Sequence, residues 1–471
     1  MLSDASEVAG ETFYFDLISL FPETFKGRQN GLRKDIAEAF YDMKPQFLRF
    51  PGGNNLEGIS VFKRWNWHKT IGPLKDRPGR PADWEYYNTD GLGLLEYFEW
   101  CEDMEIQPVL AVYAGFSLDV WGQAGTSFAE DQMQYILNDT LDELEYIMGD
   151  TSTTYGSLRA KHGHPEPFQL NFIEIGNEDW FSSTYPYRWP ILYNGLKAKY
   201  PNITYISTAY NEALALGFNY TIELPPGTYW DTHHYEDPDY FIDNFNFYDN
   251  WEEENNFTDV GILLGENSVF QIDTPSHVIN FSDPTDIHIA YPRVLSAIGE
   301  GVYALGGERN PNVVKMSSYA PSLQNLAWYN WTPNMILFTS LWNQTTLSVS
   351  YWQRWMFAHY RGTQTLPVTV SQGGINPLFW VASIDDQINS IYFKVINIGN
   401  GSVALGLDID TSYSRVNGTI LTAPDPNYYN YINNQTAVIP TPINISSTGS
   451  PDGKFMWKVP RFSISVLQFD L

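Results

Sequence analysis

Residues Phe168-Gln169-Leu170-Asn171-Phe172-Ile173-Glu174-Ile175-Gly176-Asn177-Glu178 read as a strand that runs into a carboxylate. An apolar run too short for a helix and closed by Gly-Asn fits a buried strand over Phe168–Ile175, with Glu178 just past its C-terminal end. The arrangement recurs. Gln46–Phe50 is mostly apolar and meets the tight-turn sequence Pro51-Gly52-Gly53, and Gly261–Leu264 leads through Gly265 to Glu266. Pro108–Tyr113, Tyr205–Tyr210, Tyr229–His234 and Met335–Thr339 complete seven strand candidates. Helical patterns lie between them. Leu94, Leu95, Phe98, Cys101 and Met104 share one face after a capping Asp90. Met133, Ile136, Leu137, Leu141, Leu144 and Ile147 form a stripe within Phe128–Met148, and Pro190–Tyr200 and Arg293–Leu305 add two more helices. Such alternation predicts an α/β fold, a (β/α)8 TIM barrel whose functional residues sit at the C-terminal ends of its strands. Seven strands leave that barrel one short. The eighth is expected outside this sequence, or in a run whose strand pattern is weak.

The pattern changes after about residue 345. Phe379–Ser383, Ser390–Ile396, Ser402–Ile409 and Phe462–Phe469 are β-rich, separated by Gly, Asn and Pro clusters, with no helical period. They predict an antiparallel β-sandwich packed on the barrel. The expected division is a barrel over residues 26–344 and a C-terminal sandwich over 345–471.

Composition narrows the function. Of 471 residues, 55 are Asp or Glu and 27 Lys or Arg, for a formal charge of -28. So acidic a chain repels phosphate backbones and anionic lipid, which argues against nucleic-acid and membrane-surface partners. No apolar run approaches the roughly 18 residues of a membrane span. The single cysteine, Cys101, permits neither an intrachain disulfide nor a cysteine metal cage. Aromatic residues reach 16%, a content suited to stacking on sugar rings as well as to packing. Asn-x-Ser/Thr sequons begin at Asn138, Asn202, Asn219, Asn256, Asn280, Asn330, Asn343, Asn400, Asn417, Asn434 and Asn444. Chance would give roughly four, so the excess points to a secreted, extracellular glycoprotein. The first residues, Met1-Leu2-Ser3-Asp4-Ala5-Ser6, carry no signal-peptide pattern, so the export signal is expected to be missing from this sequence.

Glu178 and Glu266 are the candidate catalytic pair. Both follow strands, so both would project into the barrel mouth. Glycoside hydrolysis needs two such groups, one to protonate the leaving oxygen and one to stabilise or attack the anomeric carbon; a separation of about 5–5.5 Å marks a retaining enzyme. Asn177, beside the acid, could hydrogen-bond a sugar hydroxyl next to that carbon. Two carboxylates suffice for this chemistry, so no cofactor is expected. His233 and His234 are potential metal ligands by residue type, but neighbours on a strand face opposite ways, and no metal site is expected.

These residues resemble a known family. Phe47-Leu48-Arg49-Phe50-Pro51-Gly52-Gly53-Asn54-Asn55-Leu56-Glu57-Gly58 is similar to a segment of glycoside hydrolase family 51. Trp65-Asn66-Trp67, Thr70-Ile71-Gly72-Pro73-Leu74, Glu174-Ile175-Gly176-Asn177-Glu178 and Gly265-Glu266 match its fungal branch. The resemblance implies a (β/α)8 barrel with a C-terminal β-sandwich and an α-L-arabinofuranosidase without cofactor, acting on arabinose-containing polysaccharide or oligosaccharide. It implies Glu178 as acid/base after the family's fourth strand and Glu266 as nucleophile after its seventh. It implies Asn54 and Asn177 as sugar-binding asparagines, Arg49 as a contact or a supporting ion pair, and Tyr235 as a phenol that keeps the nucleophile ionised. Two departures accompany it. The family's first barrel strand and its Phe-Glu-Asp-type motif precede anything in this sequence, and residues 1–25 resemble only the end of an inserted N-terminal β-sandwich. Tyr319-Ala320-Pro321 stands where some members have an alanine followed by a sugar-binding glutamine.

Removal of arabinofuranosyl side groups from arabinoxylan or arabinan by double displacement is therefore expected. The alternatives are a β-xylosidase or endo-glucanase of a related barrel family, and an inactive, truncated carbohydrate-binding relic. Trp65, Trp67, Trp84, Tyr86 and Tyr87 either pack a long loop or form a stacking platform for the polymer.

Overall fold

Strands covered on both faces need unbroken apolar runs, and the run Val109-Leu110-Ala111-Val112 is wholly buried. It belongs to a parallel sheet of seven strands: β1 Phe47–Phe50, β2 Gln107–Val112, β3 Phe172–Ile175, β4 Thr204–Ser207, β5 Tyr229–Glu236, β6 Gly261–Val269 and β7 Val314–Tyr319. They pair in chain order, with β1 and β7 as edges that do not pair with each other. The computed structural model describes residues 10–12, 14, 18, 20–84, 86–118, 125–255, 257–271, 288–328, 331–445 and 449–471. The sequons at Asn256, Asn280 and Asn330 lie outside the described residues, as do residues 1–9, 13, 15–17 and 19 of the N-terminal segment.

Side chains from alternate strands fill the interior in layers, as in closed barrels. Val109, Ile206 and Leu263 come from β2, β4 and β6; Phe47, Phe172, Tyr229 and Met316, from β1, β3, β5 and β7, pack against them. Helices cover the outside, among them Leu94–Met104, Met133–Met148 and Tyr185–Lys199. Among the described residues no helix is long and apolar enough to cross a membrane.

The structure corrects several expectations. The seventh parallel strand is Val314–Tyr319; Ile336–Phe338 instead joins a small sheet with Leu323–Asn325 and Thr346–Leu347. The reason is exposure: Val314–Tyr319 is a half-exposed edge with a polar centre, whereas Ile336 and Leu337 are fully buried and look like core strand. The helix after Asp90 starts later, with Gly93 as its cap; Glu96 accepts from the Gly93 amide and Thr70 Oγ1 from the Leu94 amide. The expected helix from Phe128 begins at Met133, preceded by a tight turn over Glu130–Gln132.

Beyond residue 360 the pairing is antiparallel. Gln364–Leu366, Leu378–Asp385, Ser390–Asn397, Ser463–Asp470, Arg415–Thr422 and Thr441–Pro442 form one sheet in that order, and Val403–Asp408 pairs with Lys454–Val459 in a second. One face of the larger sheet packs with the smaller, through Phe393, Val395, Leu467 and Phe455. Its other face rests on the helix Val294–Arg309, through Ala297, Ile298, Val302, Ile396 and Val466. The approach is close: a Cβ on Gly301 would come within 2.8 Å of Ile396 Cδ1. The helix Val349–His359 sits between the two parts and ties to the barrel side, Tyr351 donating to the Ala39 carbonyl at 2.6 Å.

Candidate active site

The site begins one pleat above the apolar layer. Two residues beyond Phe47, Phe172 and Tyr229 stand Arg49, Glu174 and Asp231, so strand periodicity turns an apolar floor into a charged one. The Arg49 side chain is 6% exposed and makes five hydrogen bonds. Its Nε and Nη2 donate to the two Glu174 oxygens at 2.6 and 2.7 Å, a bidentate pair. Its Nη1 donates to Glu266 Oε1 at 2.8 Å, and Nη2 also reaches Asn177 Oδ1 at 2.9 Å and Asp231 Oδ2 at 3.4 Å. Of the two readings for Arg49, the geometry is that of a buried ion-pair hub which also touches Glu266.

Glu266 lies inside β6 rather than after it, at a register shift between Leu264 and Glu266. Such a bulge re-aims one side chain, here into the mouth. The bend requires glycine beside it, because a Cβ on Gly265 would sit 2.1 Å from Asp231 Oδ1. Tyr235 Oη donates to Glu266 Oε2 at 2.5 Å. Glu178 follows β3 in the left-handed conformation, with φ 45°.

His233 joins the two glutamates. Its Nδ1 donates to Glu178 Oε1 at 2.8 Å and lies 3.6 Å from Glu266 Oε2, while Nε2 donates to Asp231 Oδ2 at 2.8 Å. Burial alone would neutralise the ring, yet Asp231 and Glu266 hold its pKa well above the usual histidine value. Burial likewise works against ionised Asp231, but His233 and Arg49 hold it below the usual carboxylate range. The two glutamates are driven apart. Burial raises Glu178, outweighing the hydrogen bond and charge of His233. Burial also opposes ionisation of Glu266, but there His233, Arg49 and the Tyr235 hydrogen bond win and lower it. Neighbouring carboxyls with opposite shifts suit one proton donor and one ionised partner.

Donor atoms of Glu178, His233 and Glu266 lie within 4.8 Å of one another, a spacing that could hold a metal ion. With both ring nitrogens donating, His233 has no lone pair to offer and already supplies positive charge there.

Asn54 opens the short helix Asn54–Glu57 and lines a cavity of about 2220 Å³ together with Arg49, Glu178, His233, Tyr235 and Glu266. Asn177 is fully buried; its Oδ1 takes the bond from Arg49 and its Nδ2 donates to Glu57 Oε2 at 3.0 Å. The five aromatics divide. Trp65 and Trp67 are each 2% exposed and pack in the core, and Tyr87 donates to the Pro78 carbonyl; Trp84 and Tyr86 line the cavity. Asp231, Glu174 and Glu57 are site residues without an expected role from the sequence, and His233 is expected there only as a candidate metal ligand. A signal existed for two of them: Asp231, His233 and Tyr235 are spaced by two, which puts them on one face of a strand.

A barrel that gathers two glutamates of opposed acidity at its strand ends is the architecture of a two-carboxylate glycoside hydrolase. Comparison with known proteins agrees. The α-L-arabinofuranosidase 1 domain model matches residues 39–253, and the α-L-arabinofuranosidase C-terminal domain model matches residues 270–463. A probable α-L-arabinofuranosidase A of Aspergillus flavus is 39% identical over 469 residues, covering 98% of this chain and 68% of the relative. The α-L-arabinofuranosidase A of Aspergillus kawachii is 40% identical over 468 residues, with the same coverage of 98% and 68%. An arabinose-bound family 51 α-L-arabinofuranosidase superposes with a TM-score of 0.85 at 36% identity, over 96% of this chain and 68% of that one. The arabinose complex of the Thermotoga maritima α-L-arabinofuranosidase shares the fold, with a TM-score of 0.71 at 20% identity over 96% and 92% of the two chains. The chain belongs to glycoside hydrolase family 51, the α-L-arabinofuranosidases.

Proposed function

We propose that the protein is a retaining α-L-arabinofuranosidase that releases arabinofuranosyl side groups from arabinoxylan or arabinan. The observation that carries this is the glutamate pair, with carboxylate oxygens within 4.8 Å and acidities driven in opposite directions. So close an approach of one oxygen from each group is compatible with the roughly 5–5.5 Å between the carboxyl groups of retaining enzymes.

In the first step Glu266 attacks the anomeric carbon while Glu178 gives its proton to the departing oxygen, so the glycosidic bond breaks as a glycosyl–enzyme ester forms. In the second, Glu178 takes a proton from water, the water oxygen displaces Glu266, and both groups return to their starting states. Between attacks Arg49 offsets the nucleophile's charge and Tyr235 donates a hydrogen bond to it. His233, bonded to Glu178, moderates the rise in its pKa and fixes its position. Asn54 lines the cavity and is proposed to bind a sugar hydroxyl. For Asn177 the same role rests on the one amide N–H that remains beyond its bond to Glu57.

The arabinose bound to a relative at 36% identity supports the sugar assignment. Hydrolysis of an aryl α-L-arabinofuranoside, with aryl β-xyloside and a cellulosic substrate alongside, tests it. Glu266→Gln should abolish arabinofuranoside turnover; retained turnover would overturn the assignment. Secretion as a glycoprotein is proposed too. Among the described sequons Asn138, Asn202, Asn219, Asn343, Asn400, Asn434 and Asn444 are exposed and Asn417 is half-buried. The proposed division between 26–344 and 345–471 is supported by the change from parallel pairing to antiparallel pairing beyond residue 360, with Val349–His359 bridging the two parts; the proposed 1–25 segment lies largely outside the described residues.

A further inference from the structure

The four-residue helix Asn54–Glu57 places Asn54 on the cavity at one end and Glu57 in the interior at the other. Glu57 is 2% exposed. Its Oε2 accepts from Asn177 Nδ2 at 3.0 Å, and its Oε1 has no partner among the described residues. Asn177 Oδ1 in turn accepts from Arg49 Nη2 at 2.9 Å, and Arg49 Nη1 donates to Glu266 Oε1 at 2.8 Å. Three consecutive hydrogen bonds therefore lead from a buried acid outside the cavity to the proposed nucleophile.

The two ends of an amide have the same shape and opposite polarity. In the orientation observed, Asn177 meets a donor with its oxygen and an acceptor with its nitrogen. Turned over, it would set NH2 against the guanidinium of Arg49 and oxygen against oxygen at Glu57. Without Glu57, the Nδ2 group would be left buried and unsatisfied, at a cost comparable to that of a lost hydrogen bond. The side chain would then have reason to turn or shift, and Arg49 would lose an acceptor. The charged groups that bear most on Glu57 are acidic: Asp179 and Glu178 from the turn after β3, and Asp83 from the loop before Tyr87. Burial in that company raises its carboxyl well above the usual range, and its Oε2 is the acceptor that Asn177 meets.

We propose that Glu57 is a positioning residue for Glu266: it fixes the amide of Asn177, which keeps Arg49 on the nucleophile. The proposal rests on the reading of Glu266 as nucleophile. The groups facing Glu266 are Arg49 from β1, Asp231, His233 and Tyr235 from β5, and Glu178 after β3; Arg49 is the one that the relay controls.

The test is the pH profile of aryl α-L-arabinofuranoside hydrolysis by Glu57→Met, Glu57→Gln and Asn177→Ala. Met keeps the volume and loses the acceptor; Gln keeps a carbonyl oxygen in the same place. Glu57→Met should lower kcat by about tenfold, leave KM within about twofold, and move the acid limb to higher pH, because Arg49 no longer holds Glu266 ionised as firmly. Glu57→Gln should restore most of the loss, and Glu57→Met should add little to Asn177→Ala if the two act in series. An unchanged acid limb in Glu57→Met overturns the proposal, whether kcat is unchanged or falls only in step with thermal stability. So do losses that multiply with those of Asn177→Ala. If Glu57→Met does not fold, Glu57→Asp, which withdraws the acid by one methylene, takes its place. Turnover by Glu266→Gln would instead show that the reading of the nucleophile is at fault.

Discussion

The phenol of Tyr235 donates to Glu266 Oε2 at 2.5 Å, and the bulge in β6 is what brings that oxygen within its reach. A hydrogen bond to a charged acceptor contributes about 2 kcal/mol. Tyr235→Phe should therefore cost roughly thirtyfold in kcat/KM and raise the acid limb, with little change in fold. A pH–rate series on the purified variant checks both. A loss confined to KM would show that the phenol binds sugar rather than holding the carboxylate.

The pH dependence follows from the opposed shifts. In the proposed mechanism Glu266 must be ionised, and it lies below the ordinary glutamate value of 4.5, so activity is expected to fall on the acid side only beneath that value. Glu178 must be protonated for the first step and lies above 4.5, so activity is lost as pH rises through its raised pKa. A bell straddling 4.5 is expected in kcat/KM. Glu178→Gln should remove the basic limb, and should slow substrates with poor leaving groups far more than activated aryl ones.

Stability has a pH window of its own. His233 is raised above its ordinary 6.5, so its contribution is complete below 6.5 and is lost as pH rises through the folded value. Asp231 is lowered beneath its ordinary 3.8, so its contribution is present above 3.8 and is lost as pH falls through the folded value. Thermal melts should plateau between those limits. In Asp231→Asn the alkaline decline should begin at lower pH, because the histidine loses its principal anion.

Arg49→Lys keeps the charge and loses the fork. A lysine cannot serve both Glu174 oxygens, Asn177 and Glu266 together. Disrupting a buried pair of this kind costs about 3 kcal/mol, so a clear fall in melting temperature should accompany at least a tenfold loss of kcat. Calorimetry with steady-state kinetics measures both. A variant of wild-type stability would mean that the bidentate pair contributes nothing net.

Gly265→Ala tests the bulge. The added methyl would meet Asp231 Oδ1 at 2.1 Å, and Asp231 holds His233, which holds Glu178. Overpacking of this kind costs about 1–3 kcal/mol. The sharper expectation is a shifted basic limb, because the displaced His233 no longer stabilises ionised Glu178. An unaltered profile would show that the strand relaxes without moving Asp231.

Much of this was legible from local pattern. Glu178 stood out because a buried strand ending in Gly-Asn leaves its next side chain at the barrel mouth, and Glu266 because Gly265 breaks an apolar run. That Glu266 sits inside its strand could not be read, since a bulge leaves no trace in hydrophobic periodicity. β7 was missed because Lys315, Ser317 and Ser318 make an edge strand look like a loop, while Ile336–Phe338 carried the stronger apolar signal. Asp231 and His233 were readable from their spacing, once His233 was paired with Tyr235 rather than with His234. Glu57 was not: a four-residue helix has no period, and its partner Asn177 is 120 residues away.

The helix Val294–Arg309 faces two ways. Toward the sandwich it buries Ala297, Ile298 and Val302; toward the barrel, Glu300 accepts the backbone N–H of Val269 at 2.9 Å, at the end of the strand that carries Glu266. The sandwich thus stands as a buttress behind the strand of Glu266, the proposed nucleophile. Loosening of the C-terminal sheet by heat would therefore be expected to slacken the strand that carries Glu266 from behind, which puts one determinant of resistance to inactivation at the seam where Gly301 meets Ile396.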